Sequence, residues 1–528
     1  MRRAAILVVL AFVALQPVPS ASADAPRVVA VETLGTTRPP ATAPRSQSGP
    51  PKEIAPLHRG PASDATQDGP TFAAPSQTAV VRASAPSVGI NIRGFRMGVV
   101  LPPDPAGEVG PTQFVHTANT LRGSIVGVFD KTTGDGVKRF LMDSLATRGV
   151  CRHGLGDGVP FYDQIDAVWF LTEIASRGNS LCIYVSSGSD ASTSTYQGYR
   201  IAFNLFPDYP KWAVWSNAIY LGFNNSGFSD PIVALNRTKM AAQMTLSPTD
   251  VVFDNVHAER GFNFQLLVPV DSDGATPPPP TAPGIFIRHV DDEVNRRPGM
   301  RDPAHDFIEY FEMTPDFVGG TETTAGPFDV PVSEFDSRLC PGTALQCIPQ
   351  RGTRVRLDSL REPMMNRPVM RVIGANQTMV GSFTVDAGHN RAGVRWFELT
   401  RPAATTSGAW TLADEGTFAP SGAQRWVPSV DIDDAGDIAL GYSVSSGRIF
   451  PRIEITGRHA GDPAGVMTQD EVVIAKSAGP QTFAPRWGDY TEMSVDPAPG
   501  ATTFWYTNEY LDRFGEWRTR IASFTLGP

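Results

Sequence analysis

Charged side chains make up only 19% of the 528 residues, short of the quarter or so usual in soluble domains. That scarcity excludes a coiled coil or a long helical bundle, whose surfaces are dense in Glu and Lys. Basic residues are not in excess either: 45 Lys and Arg stand against 54 Asp and Glu, a net charge of −9. No basic surface points to nucleic acid. Cysteine is sparse, at four. Amphipathic helix patterns are nearly absent, and no long apolar run follows the one at the N-terminus. Also missing are a G-x-S-x-G elbow, an H-E-x-x-H helix, a P-loop and a dinucleotide fingerprint, so serine-hydrolase, zinc-protease and nucleotide readings have no motif behind them.

What the chain does have is turns. Gly at 49 and Pro at 47 suit a large, turn-rich β protein. Arg2 and Arg3 precede an apolar run over 4–15, followed by Pro17, Pro19 and the small-residue site Ala21-Ser22-Ala23. The run is 12 residues, against roughly 20 for a membrane span, so residues 1–23 read as a cleaved secretory signal peptide. Losing Arg2 and Arg3 takes the charge from −9 to −11. No cysteine lies near the cleavage site to carry a lipid. The mature protein is expected to be secreted (extracellular or periplasmic), free of membrane spans and monomeric.

An even number of cysteines in an exported chain favours disulfides. Cys340 and Cys347 flank Pro341-Gly342 and would staple a local loop. Cys151 and Cys182 then pair by elimination, tying a loop to a strand. A metal site would prefer paired C-x-x-C spacing, which the chain lacks.

Residues 24–87 hold 11 prolines and one aromatic, Phe72. Taken together they bury too little surface to offset ordering entropy, and are expected to form a disordered Pro-rich spacer. The folded domain is expected over 88–528. Within it, short β-type runs (114–118, 124–129, 167–171, 180–185, 199–203, 218–223, 379–385, 394–399, 437–442, 452–456, 503–507 and 519–524) alternate with Gly, Pro and Asp turns.

A repeat narrows the architecture. Arg425-Trp426 leads into Ser429-Val430-Asp431, a turn, and 438–442. Arg486-Trp487 leads into Ser494-Val495-Asp496, a turn, and 503–506. The two units start 61 residues apart, and Lys211-Trp212 opens a weaker copy. A unit of several antiparallel strands recurring at that spacing is the mark of propeller blades. The spacing divides the folded part into about seven, so the expected fold is an all-β, seven-bladed β-propeller, with six or eight blades as alternatives.

The stretch Pro102-Pro103-Asp104-Pro105-Ala106-Gly107-Glu108-Val109-Gly110-Pro111, running on to Phe129-Asp130-Lys131, resembles the opening of a group of secreted bacterial β-propeller proteins. So do Tyr162-Asp163-Gln164, 206–211, 395–399, Arg486-Trp487-Gly488-Asp489-Tyr490 and 504–510. The likeness spans roughly 98–526. These proteins look like distant relatives of sialidase-type propellers. The resemblance implies fold and secretion, and no activity. The chain departs from the pattern at Ala106 and at Thr112-Gln113-Phe114, where Asn and Asn-His-Tyr are expected.

The densest polar group is Arg486, Asp489, Tyr490 and Glu492, at the start of one repeat. Propeller ligands usually sit at the central channel, where such starts converge. Asp489, Tyr490 and Glu492 are the candidates for catalysis: paired carboxylates divide acid and base roles in glycoside hydrolysis, and a Tyr beside a carboxylate suits a sialidase-like nucleophile. Arg486 and Arg425 can hold an anionic ligand in bidentate fashion. Trp487, with Trp212 and Trp426, can stack on sugar. The competing reading is structural, with Trp wedged between blades and Arg paired to a turn carboxylate. Glu509 is read as closing the last blade's edge. His116, in a strand-like run, is a ligand-binding or acid–base candidate, and His153 and His389 are weaker ones. Asp431, Asp433, Asp434 and Asp437 around Gly436, and Asp271-Ser272-Asp273-Gly274, offer hard oxygen ligands, so calcium is possible as a cofactor; a structural Asp-box-like turn is the alternative. Two functions follow. One is a glycan-directed propeller, cutting a glycan as a glycoside hydrolase or polysaccharide lyase at the central channel. The other is a non-catalytic extracellular binding or adhesion propeller.

Overall fold

The computed structural model describes residues 26–43, 52–53, 76–79, 84–96, 100–225, 229–259, 264, 266–296, 299–340 and 346–528. The expected signal peptide lies outside the described residues, as does most of 44–75. Every run read as a strand from sequence falls within one, short of at most its first residue, and most are extended: 114–118 grows to Gln113–Thr120 and 394–399 to Ala392–Pro402.

Among the described residues, seven sheets have four or more strands. They follow one another along the chain: sheet 1 at 106–141, sheet 2 at 154–203, sheet 3 at 208–257, sheet 4 at 268–333, sheet 5 at 369–418, sheet 6 at 424–476 and sheet 7 at 492–525. Each sheet touches the next, and sheet 7 touches sheet 1. The ring is closed. This is a β-propeller, and the strand that comes first in each sheet lies nearest the axis.

The alternation of apolar and polar positions that marks a half-buried strand becomes burial on both faces here, because each sheet is packed between two others. All nine tryptophans are buried, none more than 3% exposed. Close approach sets local sequence too. A Cβ on Gly107 would meet the Phe114 ring at 2.7 Å, so only glycine lets this inner strand lie against its neighbour.

One expectation is corrected. The segment read as a disordered spacer contributes strands. Val28–Thr37 pairs antiparallel with Tyr196–Phe203 as the outermost strand of sheet 2, with Glu32 bonded to Arg200 at 2.5 Å. Ser76–Gln77 adds to the edge of sheet 5. The physical reason is local: 28–37 reads Val-Val-Ala-Val-Glu-Thr-Leu-Gly-Thr-Thr, β-branched and free of proline, and averaging over the whole segment hides it. Ser87–Arg96 pairs with Trp517–Thr525, so the two ends of the folded chain share sheet 7.

The antiparallel pairing fixes which turns share a face. Asp208, opening sheet 3, lies opposite Asn224 at the end of the second strand. In sheet 4, Val268 lies opposite Ile287. The starts of the inner strands and the turns between second and third strands therefore occupy one face, called the leading face below. Several inner strands bend as they leave it. Register shifts fall between Gly156 and Val159, Asp208 and Lys211, and Trp426 and Ser429. Each interval holds a residue in the left-handed region: Asp157 (φ 55), Tyr209 (φ 55) and Val427 (φ 50). Such a bulge re-aims the side chains beside it.

Candidate functional site

Three basic residues precede a tryptophan at the leading ends of sheets 3, 6 and 7, and the structure gives them three fates. Arg425 is buried and bidentate to Glu471, with Nε to Oε1 at 2.8 Å and Nη2 to Oε2 at 2.7 Å. Arg486 is buried and paired with Asp489, three residues on. Lys211 is fully buried, and among the described residues its Nζ has no hydrogen-bond partner. It lies instead between two aromatic faces, 3.5 Å from the ring centroid of Tyr209 and 3.5 Å from that of Tyr490. A desolvated cation on an aromatic face gains about 2 kcal/mol, which offsets only part of the cost of burying it. Burial pulls the Lys211 ammonium down to about 7, against the opposing pull of Asp157, Asp489, Glu492 and Asp104.

Carboxylates from separate parts of the chain gather around this lysine. Tyr490 donates its hydroxyl to Asp157 Oδ2 at 3.2 Å and also lies 3.2 Å from the Pro210 carbonyl. Asp104 Oδ1 accepts from the Asp489 backbone N–H at 2.7 Å, and its other oxygen accepts from Asn119 at 2.6 Å. Tyr209 donates to the Asp489 carbonyl at 2.7 Å. Burial pushes Asp489 up to about 7, with Arg486 opposing and Asp157 reinforcing the shift. Asp104 is driven well up by burial and by Asp489; Asp157 is raised by burial against the pull of Lys211 and Arg486. Among the described residues, Asp489 Oδ1 and two Arg486 nitrogens have no hydrogen-bond partner. Asp104, Lys211, Asp489 and Tyr490 are buried, whereas Asp157 is half-buried and reaches solvent. Asp104 (φ 45), Asp157 and Tyr209 all hold left-handed backbone, a cost of order 1–3 kcal/mol each that accumulates at working sites.

Glu492 belongs to a second group along the axis. Its Oε2 accepts from the Gly107 N–H at 2.8 Å and its Oε1 from Asn366 at 3.2 Å. Arg367 stands among three carboxylates: it pairs with Glu108, and lies 3.4 Å from Asp271 and 3.7 Å from Glu492. Asp271 in turn accepts from the Val214 N–H at 2.5 Å. Sheets 1, 3 and 7 are thereby tied to the segment that crosses into sheet 5. Burial is the main cause of the raised Glu492 carboxyl, with Arg367 opposing it.

The residues singled out from sequence therefore separate. Asp489, Tyr490 and Arg486 share the Lys211 cluster. Glu492 sits in the Arg367 group. Arg425 is occupied by Glu471 and is not free for a ligand. Trp487 is buried, 5.7 Å from Trp426, and donates to Ser443 Oγ at 3.0 Å; it packs between sheets and cannot stack on sugar, and the burial of Trp212 and Trp426 removes them too. His116 is buried and engaged at both ring nitrogens, with the Ala106 carbonyl at 2.9 Å and Thr519 Oγ1 at 2.7 Å, and stacks on Phe95. Burial lowers it to about 3, so it stays neutral and is no acid–base group. Glu509 is buried beneath the Gly488 N–H, which donates to it, and so does not lie at a blade edge. His153 and His389 are exposed.

Among the described residues neither acidic turn brings three carboxylates to the spacing of one ion, although Asp271, Asp273 and Asp431 act on one another. Asp433 caps its own turn, accepting from Ala435 N at 2.9 Å and Asp437 N at 3.0 Å. Asp434 pairs with Arg371 at 3.0 Å, and Asp437 with His459 at 2.7 Å. Asp273 accepts from Gln164 at 2.8 Å, while Asp271 faces Arg367. The cysteines pair as Cys151–Cys182, Cα atoms 5.7 Å apart, and Cys340–Cys347, Cα atoms 5.2 Å apart. Two disulfides are consistent with an oxidising, extracellular or periplasmic setting. No helix among the described residues is long and apolar enough to cross a membrane.

Sequence reading passed over Lys211, Asp157, Asp104 and Arg367. A signal existed for two of them. Lys211-Trp212 occupies the place of Arg425-Trp426, and Asp157 stands between Gly156 and Gly158, where backbone freedom is needed. Arg367 carries no local sign, since its partners Glu108, Asp271 and Glu492 are all distant in sequence, Glu108 by 259 residues.

No protein-family model matches the chain, and no curated protein matches it. Solved structures similar to it include an alpha-L-arabinanase of Penicillium chrysogenum complexed with arabinobiose, at 11% identity over 60% of this chain and 93% of that one, TM-score 0.31. The WD40 domain of Toxoplasma gondii coronin aligns at 8% identity over 86% and 90%, TM-score 0.38. An alpha-L-arabinofuranosidase of Fusarium graminearum aligns at 10% over 83% and 98%, TM-score 0.34. All three TM-scores fall under 0.5, and the reading of the site rests on this chain's own residues.

Proposed function

We propose that the chain is an exported, glycan-directed β-propeller that engages its ligand on the leading face, at Asp157. The observation that carries this is the cluster behind that residue. Three carboxyls, two tyrosines and a partnerless lysine converge at the axis, and only Asp157 reaches solvent. Strongly perturbed titratable groups converging at a fold's usual ligand position are a functional signature. A sugar hydroxyl can donate to Asp157. Asp157, held by the Tyr490 hydroxyl, can take up or return a proton there, so glycosidic cleavage is the chemistry we propose for it.

A non-catalytic binding propeller is the second reading. It is favoured by one observation: Asp489 and Glu492 are already engaged with Arg486, Asn366 and the Gly107 amide. A panel of bacterial, algal and plant glycans separates the two, scored for reducing-end and unsaturated-product release and for change in melting temperature. Turnover that disappears in a folded Asp157→Asn variant supports cleavage. A glycan that raises the melting temperature without turnover supports binding. Silence in both assays across the panel contradicts a glycan-directed role.

A further inference from the structure

Away from the axis, sheet 4 gathers carboxylates at a spacing suited to a cation. The strand Gly284–Val290 ends at Asp291, a short helical turn Asp292–Asn295 follows, and the return strand His305–Asp316 brings in Asp306. One carboxylate oxygen from each of Asp291, Glu293 and Asp306 lies within 4.8 Å of the others. Oxygens bound to one Ca²⁺ at 2.3–2.6 Å are at most about 5 Å apart, so a single ion can touch all three. Two of these carboxylates are held from behind. Asp291 Oδ2 accepts from the Ser337 N–H and hydroxyl, both at 2.8 Å. Asp306 accepts from Asp292 N at 2.9 Å and Phe335 N at 2.6 Å. Each oxygen keeps a further lone pair.

A second observation points to a ligand here. Glu334 is only 9% exposed, and its Oε1 is buried without a hydrogen-bond partner among the described residues. The charges acting on it most are Glu293, Asp292, Asp291 and Asp302, so it lies beside the group. Asp292 is fully buried, its Oδ1 is likewise partnerless, and its carboxylate lies within hydrogen-bonding reach of that of Glu293. Buried carboxylates turned on one another are costly unless positive charge enters, and the arginines that act on them, Arg361 on Asp291 and Arg395 on Asp306, are each shared with further carboxylates. Arg296, next along the chain, is turned to Glu309 and to Asp329, the latter at 2.7 Å.

We propose that Asp291, Glu293 and Asp306, backed by Asp292 and Glu334, form a calcium-binding site. The all-oxygen set suits a hard cation, and its irregular shape suits Ca²⁺ better than Mg²⁺, which demands near-octahedral ligands. The site closes the turn between the second and third strands of sheet 4, and so lies on the leading face with Asp157. A bound ion would pin that connection beside the ligand surface. The site is distinct from both acidic turns read from sequence.

The test is calorimetric titration of the EDTA-stripped chain with CaCl2 and MgCl2, with melting curves in parallel. The expected result is one Ca²⁺ per chain, at least tenfold weaker Mg²⁺, and a rise of roughly 3 °C in melting temperature at a hundredfold excess over Kd. Glu293→Gln, at a half-buried position that supports no other element, is expected to melt as wild type in EDTA and to weaken Ca²⁺ at least tenfold; Asp306→Asn serves as the second variant. No Ca²⁺ binding, or equal binding in wild type and both variants, overturns the proposal.

Discussion

The hydroxyl of Tyr490 donates to Asp157 across 3.2 Å although 333 residues separate them in the chain. The bond joins sheet 7 to sheet 2 over the leading end of sheet 1. It places the Tyr490 ring against the Lys211 ammonium and connects the one solvent-reaching carboxylate to the sealed cluster behind it. Hydroxyl and ring therefore do different work. Tyr490→Phe removes only the hydrogen bond and is expected to cost about 1 kcal/mol. Tyr490→Leu also strips an aromatic face from the lysine and is expected to cost about 2 kcal/mol more. Equal losses in denaturant melts would show that the cation–aromatic contact contributes nothing.

Lys211 sets a pH dependence of definite sign. Its folded value near 7 lies well below the 10.4 or so of an unfolded chain. Between those values the unfolded chain holds the proton and the folded one does not, so stability from this group rises with pH from about 7 to 10 and is flat below. Asp489 acts in a separate window with the opposite slope: its raised carboxyl keeps a proton in the fold, and that contribution is lost as pH climbs toward 7. Denaturant midpoints of wild type and Lys211→Met, compared from pH 7 to 10, are expected to diverge in favour of wild type. A constant difference would contradict the buried, partnerless lysine.

Arg367 and Glu492 test structure against catalysis. Removing one partner of a buried ion pair costs about 3–5 kcal/mol, so Arg367→Met, which strands Glu108, Asp271 and Glu492, is expected to fall in that range. Glu492→Gln keeps an acceptor for the Gly107 amide and is expected to cost less. The fraction of Glu492→Gln that remains folded is expected to engage ligand as wild type does. A stable variant that fails to do so would return Glu492 to the functional site.

Local signals were legible in the sequence, and distant partnerships were not. The basic–Trp repeat at the openings of sheets 3, 6 and 7 pointed to the propeller, because Trp212, Trp426 and Trp487 each pack in the buried core there. The disulfides followed from number and spacing. Arg486 and Asp489 stand three residues apart and pair with each other, so their grouping is local. Glu492 stands apart from them because it faces Asn366 and Arg367, more than a hundred positions away and with no motif of their own. Nor could the sequence say that Arg425 bonds a carboxylate while, among the described residues, the Lys211 Nζ has no hydrogen-bond partner. Proline-rich averaging hid the strand at 28–37, whose own ten residues favour pairing.

That strand gives a prediction about boundaries. A chain starting at residue 84 loses Val28–Thr37 from the open edge of sheet 2, and is expected to fold with a lowered melting temperature. One starting at residue 100 also loses Ser87–Arg96, the strand that pairs the chain's two ends in sheet 7, and is expected not to fold cooperatively. Limited proteolysis and thermal melts of the two truncations check this, and identical behaviour would contradict it.

The most direct test of the account is the affinity of a stabilising glycan for wild type, Asp157→Asn and Lys131→Ala, measured by titration calorimetry. Lys131 pairs with Asp496 at 3.0 Å on the opposite face and serves as the control. Binding at least tenfold weaker in Asp157→Asn and unchanged in Lys131→Ala is the predicted result. Unchanged binding in a folded Asp157→Asn would contradict a ligand site at the leading end of the axis.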